Sequence, residues 1–155
     1  MGEDYGASKR AAGTSWASSE ATRRTMQSNR GRDTVPEILL RRQLFNLGLR
    51  YRVNLRVEPT LRRTVDIAFT RSKLAVFVDG CFWHGCPIHG TSPKTNSEFW
   101  KSKISATMVR DRETTMALNK LGWTVLRFWE HDDPDASAQR VSEIVRNLQG
   151  RPPQQ

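Results

Sequence analysis

An α/β fold, with a mixed central sheet flanked by helices in the order α-β-β-β-α-β-α, is predicted by three observations on this 155-residue sequence. Apolar residues recur at helical spacing in three separate stretches. Three short runs rich in β-formers, divided by polar turn material, lie between the first and second of these stretches. A fourth such run then sits between two helical stretches, which calls for helices covering a sheet. The length suits one domain, and 37% hydrophobic residues is enough to bury a core. No apolar run approaches the roughly 18 residues of a membrane span. The polar start also lacks a secretory apolar core, so the reading is a cytoplasmic protein with no membrane contact.

The elements follow in order. Residues 1–21 are rich in Gly, Ala, Ser and Thr without an apolar period and read as a flexible arm. Residues 22–149 form the single domain, and 150–155 a flexible tail. Thr34 can cap a first helix with Pro36 and Glu37 in its first turn. Leu40, Leu44 and Leu47 then keep helical spacing until Gly48 stops it. Strands are expected at 51–55, 64–69 and 74–78. The stretch 97–121 is helix-compatible, with Phe99, Ile104, Met108, Met116 and Leu118 among its apolar positions and Gly122 at its end. A strand at 123–129 and a short helix at 136–148, with Val141, Ile144, Val145 and Leu148 on one side, complete the order.

The formal net charge is +9. From Thr22 to Arg63 eleven arginines face three carboxylates, so a surplus of +8 sits in one short stretch. Arginine suits bidentate contact with phosphate, and the partner this charge predicts is nucleic acid, with a solvated surface as the plainer alternative.

Chemistry concentrates in 78–90. Both cysteines and two of the three histidines fall between Cys81 and His89, and the third histidine, His131, follows the last strand run. Two cysteines are too few for a disulfide framework. Cys81, Cys86, His89 and His131 supply a tetrahedral Cys2His2 set for zinc, which would pin the loop after the third strand to the end of the fourth. The spacing is not that of a zinc finger, and free thiols beside surface histidines are the alternative. His84 is then left over as an acid or base near neutral pH, or else it replaces His89 at the metal.

Asp66 interrupts an apolar strand run. It either faces water or binds magnesium at a strand end, where Asp79 could join it from the neighbouring strand. Glu37 reads locally as a helix-capping acid. Phe82-Trp83, Phe99-Trp100 and Phe128-Trp129 are three Phe-Trp pairs; packing is their default use, but a pair in a loop beside a basic face can enter between base steps.

Taken together, these pieces resemble the very-short-patch repair (Vsr) mismatch endonuclease family. The matching stretches are 23–29, 32–37, 48–53, 65–67, 77–90, 93–96, 99–100, 110–112 and 121–130, in the family's order. The loop Gly80-Cys81-Phe82-Trp83-His84-Gly85-Cys86-Pro87 is the most specific of them. The resemblance implies a restriction-endonuclease-like fold with a structural zinc site. It also implies a Mg2+-dependent nick 5′ of the thymine in T:G mismatches that arise when 5-methylcytosine deaminates, initiating very-short-patch repair.

By position, Asp66 is similar to the family's magnesium-binding aspartate, and Val78 to the residue lending a backbone carbonyl. His84 resembles the histidine assisting proton transfer, Glu37 a glutamate acting on water from the first helix, and Asp79 stands where some relatives have histidine. Cys81, Cys86, His89 and His131 match the zinc positions. Phe82, Trp83 and Trp100 look like the wedge beside the mismatch, with Met26, Arg23 and Arg24 on the DNA-reaching amino-terminal segment. The implied partners are mismatched duplex DNA and, in the pathway, a cytosine-5 DNA methyltransferase and a repair polymerase, with the enzyme acting as a monomer at the bacterial nucleoid. A nuclease of the same fold with another DNA target, and a zinc-stabilised DNA-binding module without cleavage, are the alternatives. Two departures stand out: no lysine follows in the third-strand run Phe77-Val78-Asp79, and Leu61-Arg62-Arg63-Thr64 replaces a Pro-Gly-Arg-Pro turn before Asp66.

Overall fold

The computed structural model describes residues 31–90 and 93–150. Among them the order is α1 (Val35–Asn46), β1 (Arg52–Leu55), β2 (Val65–Phe69), β3 (Leu74–Asp79), α2 (Ser97–Lys120), β4 (Thr124–Trp129) and α3 (Pro134–Gln149). The four strands form one mixed sheet in the order β1-β2-β3-β4. β1 and β2, and β2 and β3, pair antiparallel. β3 and β4 pair in parallel, because the α2 crossover returns the chain to the same edge. Met26, Arg23, Arg24 and the arm 1–21 lie outside the described residues, as does the tail beyond Gly150. No helix among the described residues is long and apolar enough to cross a membrane.

Strand alternation divides the apolar residues between two cores. Ile67, Phe69, Leu74 and Val76 meet Leu40 and Leu44 of α1 and Ala138, Val141 and Val145 of α3 on one face. Ala68, Ala75 and Phe77 face the other way, against Leu118 at the end of α2 and Trp123. β2 and β3 are therefore covered on both faces, as near-continuous apolar runs require.

Two elements differ from the sequence expectation. α3 begins at Pro134 because the Asp133 carboxylate accepts the Ala136 N–H at 3.0 Å, so Asp-Pro, rather than the first apolar residue, sets the start. α2 buries Trp100, Thr107, Thr114 and Leu118, while Phe99 and Met116 are exposed. Its inward stripe is polar in the middle. Thr107 and Thr114 satisfy their hydroxyls on the carbonyls of Lys103 and Arg110, four residues back, and this middle part of the helix borders a cleft instead of a core.

Candidate active site and metal centre

The cleft has a volume of about 830 Å3 and opens where β2 and β3 meet α2 and the start of α1. Asp66, Asp79, His84, Asp111, Arg127 and Glu37 all contribute to its wall. Arg63, Lys103 and Arg110 bring further positive charge to the same cleft.

Asp66 is the second residue of β2, and its Oδ2 accepts the Val78 N–H at 2.9 Å. Its Oδ1 makes no hydrogen bond to the described residues. Burial pushes the Asp66 carboxyl up to about 6 against the Val78 hydrogen bond, and the negative charges of Glu37 and Asp79 push the same way as burial. A carboxylate held at that cost, with one oxygen open to the cleft, suits a hard divalent cation.

The other acids are differently engaged. Glu37 is buried, and both its oxygens are taken: Thr34 Oγ1 donates at 2.9 Å, as do the Asp33 N–H and the Arg41 guanidinium. Glu37 thus ties the Asp33 N–H just ahead of the helix to Thr34 and Arg41 rather than capping a first-turn N–H, and Thr34 makes no side-chain cap. Asp79 is likewise closed, with Arg127 Nη1 at 2.7 and 2.8 Å from its two oxygens. His84 Nδ1 lies 2.5 Å from Asp111 Oδ2 and 3.6 Å from Asp79 Oδ1. The nearer carboxylate accepts a hydrogen bond from Nδ1–H, which leaves Nε2 as the nitrogen available for proton exchange.

Asp111, Arg127 and Glu130 are site residues that the sequence reading gave no role. Glu130 Oε1 accepts the Cys81 N–H at 2.8 Å and so fixes the start of the loop. Arg127 was the detectable one, a cation inside an otherwise apolar strand run. Asp111 is one of several acids on a polar helix, and its contacts with His84 and Arg127 are what distinguish it.

The expected ligand set converges. Cys81, Cys86, His89 and His131 bring their ligand atoms within 4.8 Å of one another. Cys81 Sγ is 3.0 Å from His131 Nδ1 and 4.0 Å from His89 Nδ1, and the two Nδ1 atoms are 3.2 Å apart. A tetrahedral zinc shell has ligand atoms roughly 3.3–3.8 Å apart, and these separations scatter a few tenths of an ångström to either side of it, so two thiols and two imidazoles are gathered where small shifts would let them hold one ion. The cause lies in the sheet. Asp79 pairs with Trp129, and Cys81 and His131 each follow two residues later on parallel strands.

The same loop carries the aromatics. Phe82, Trp83 and Trp100 form an edge-to-face triangle with centroids 5.1, 5.4 and 5.9 Å apart. Phe82 and Trp83 are half-buried, whereas Trp100 is buried and backs them from α2. The loop meets α2 closely at Gly85, whose φ is +66°; a Cβ there would lie 2.8 Å from Met108 Sδ.

Residues 17–89 match the family model described as DNA mismatch endonuclease Vsr. The chain is 44% identical over 128 residues to the Type II nicking enzyme V.NaeI of Lentzea aerocolonigenes, covering 81% of this chain and 77% of that one. It is 40% identical over 136 residues to the Type II nicking enzyme V.NmeDIP of Neisseria meningitidis serogroup C, covering 84% and 90%. It is also 36% identical over 114 residues to the DNA mismatch endonuclease Vsr of Escherichia coli strain K12, covering 72% and 70%. An arginine-lined cleft with a half-buried aspartate and a histidine–aspartate pair, in a chain with such relatives, belongs to a DNA endonuclease. The chain belongs to the Vsr family of DNA mismatch endonucleases.

Proposed function

We propose that this enzyme nicks one strand of duplex DNA 5′ of the thymine in a T:G mismatch, in a Mg2+-dependent reaction that begins repair of deaminated 5-methylcytosine. The observation that carries the reading is the presence, in one cleft, of the half-buried Asp66 carboxylate and of His84 on the aromatic loop. Asp66 and the Val78 carbonyl would hold the Mg2+, which supplies Lewis-acid stabilisation of charge on the scissile phosphate. His84 holds a proton at Nε2 for the departing 3′ oxygen, its ring steadied by Asp111. Glu37 and Asp79, with their oxygens engaged, act on Asp66 through charge.

Phe82 and Trp83 enter beside the mismatch, with Trp100 as their support. A wobble pair costs less to unstack than a Watson–Crick pair, so deformability contributes to selection. The Cys81, Cys86, His89 and His131 group takes a structural zinc that locks the wedge loop to β4. In this reading the fold is restriction-endonuclease-like and the domain spans 22–149, with flexible segments at 1–21 and 150–155. Met26, Arg23 and Arg24 reach the opposite groove, and the enzyme works as a monomer at the bacterial nucleoid, upstream of a repair polymerase and alongside a cytosine-5 DNA methyltransferase.

Strand-resolved cleavage of T:G, fully paired and branched duplexes with randomised flanks, in Mg2+, tests the reading. Nicking of the T strand at T:G, lost in Asp66→Ala, is the expected result. Nicking of paired duplex at a fixed sequence with no preference for T:G would assign another DNA target. Undiminished nicking by Asp66→Ala would overturn the metal assignment.

A further inference from the structure

Asp79, His84 and Asp111 bring potential ligand atoms within 4.8 Å of one another in the wall of the same cleft, and by composition alone they form a second divalent-cation group. Arg127 argues otherwise. Its guanidinium enters from β4 on the sheet face that carries Phe77 and lies 4.5 Å over the Phe77 ring. Nη1 is bound to both oxygens of Asp79 at 2.7 and 2.8 Å, Nε donates to Thr115 Oγ1 at 3.3 Å, and Nη2 is 3.6 Å from Asp111 Oδ1. Arg127 therefore neutralises both carboxylates of the group.

The remaining ligand is also spent. The His84 nitrogen nearest the carboxylates is Nδ1, which is committed to Asp111 at 2.5 Å. A divalent ion placed there would have to displace that proton, break the ion pair in which Arg127 Nη1 bridges both Asp79 oxygens and sit against a fixed positive charge that cannot deprotonate.

We infer that Arg127 is the resident cation beside Asp79, His84 and Asp111: it takes the place a divalent ion would have among them, holds Asp79 and Asp111 so that they keep His84 in place, and leaves Asp66 as the carboxylate of the cleft, among the described residues, that is open to a divalent cation. The inference rests on the reading of Asp66 as a metal ligand for its count of sites, but not for the role of Arg127. Arg127 is thus a positioning residue. Its Nη2, which makes no hydrogen bond to the described residues, is the donor left for a phosphate oxygen of the DNA.

Counting Mn2+ bound per chain by electron paramagnetic resonance, on zinc-loaded protein so that the Cys2His2 group is filled, tests this. Wild type should bind one Mn2+ in the cleft, and Asp66→Ala none. Arg127→Met, which keeps the stem over Phe77 and removes the charge, should raise the count from one to two, and adding Asp111→Asn to it should return the count to one. Arg127→Lys, which keeps the charge, should stay at one.

A Mn2+ that persists in Asp66→Ala and disappears in Asp66→Ala with Asp111→Asn would overturn the inference, and needs no Arg127 variant to fold. Failure of a folded Arg127→Met to gain a site would overturn it too. Absence of Mn2+ from wild type would instead remove the Asp66 metal reading, while a gain in Arg127→Met would still support the role of Arg127.

Discussion

Asp66 shows what one carboxylate on a cleft wall costs this fold. The ordinary value for its carboxyl is 3.8, and burial raises it to about 6 in the folded chain. Between those values the folded state binds more protons at this position than the unfolded state. The contribution of Asp66 to stability therefore falls as pH rises through the window, and its penalty is complete above about pH 6. Asp66→Asn should accordingly raise the unfolding free energy of Mg2+-free enzyme at pH 7 by up to about 3 kcal/mol, with the advantage gone near pH 4, while abolishing nicking. Urea unfolding at the two pH values checks this; equal gains at both would remove burial of charge as the cause. At the other centre, His131→Ala should lower zinc from about one per chain, as read by elemental analysis. Unchanged zinc content would take His131 out of the ligand set.

Among the elements, the loop after β3 and the helix α2 work as one unit. Trp100 is 4% exposed, so Trp100→Ala should destabilise the enzyme by about 3–5 kcal/mol, as a large buried aromatic does. Phe82→Ala and Trp83→Ala remove half-buried rings. They should leave the thermal midpoint much closer to wild type while reducing the preference for T:G over paired duplex, measured as the ratio of nicking rates. A preference that survives both changes would separate the aromatic loop from mismatch selection. How far α2 could be read from its sequence follows from the same packing. Its existence and ends were legible, because helical propensity and the Gly122 stop are local. Its inward face was not, because the apolar Phe99 and Met116 point outward while Thr107, Asp111 and Thr114 turn toward the cleft, where function replaces apolar burial.

Over the whole molecule, the arginine-rich stretch divides into two kinds of charge. Arg41 is held by Asp33 at 2.5 Å and Glu37 at 2.9 Å and is largely buried, so it belongs to the fold. Arg63 is exposed on the cleft wall. Arg63→Ala should weaken binding of mismatched and paired duplexes alike and lower the slope of log affinity against log salt by about 1. Arg41→Ala should instead lower stability, with thermal unfolding as the check. Fluorescence titration across a salt series distinguishes the two. An unchanged slope in Arg63→Ala would place that arginine off the phosphate backbone.

The sequence by itself determined the helices and strands, the surplus of arginine and the residue types able to hold metals, because periodicity, turn chemistry and composition are properties of neighbouring residues. Its resemblance to the Vsr family carried the expectation of an endonuclease, and the relatives bear that out. Only the tertiary structure decided which of those residues meet. The parallel register that sets Asp79 against Trp129 brings Cys81 to His131, and the same strand pair carries Arg127 to Asp79. These encounters join residues about fifty positions apart through a strand register set by the α2 crossover and the packing of two cores. No local pattern in the chain encodes that register.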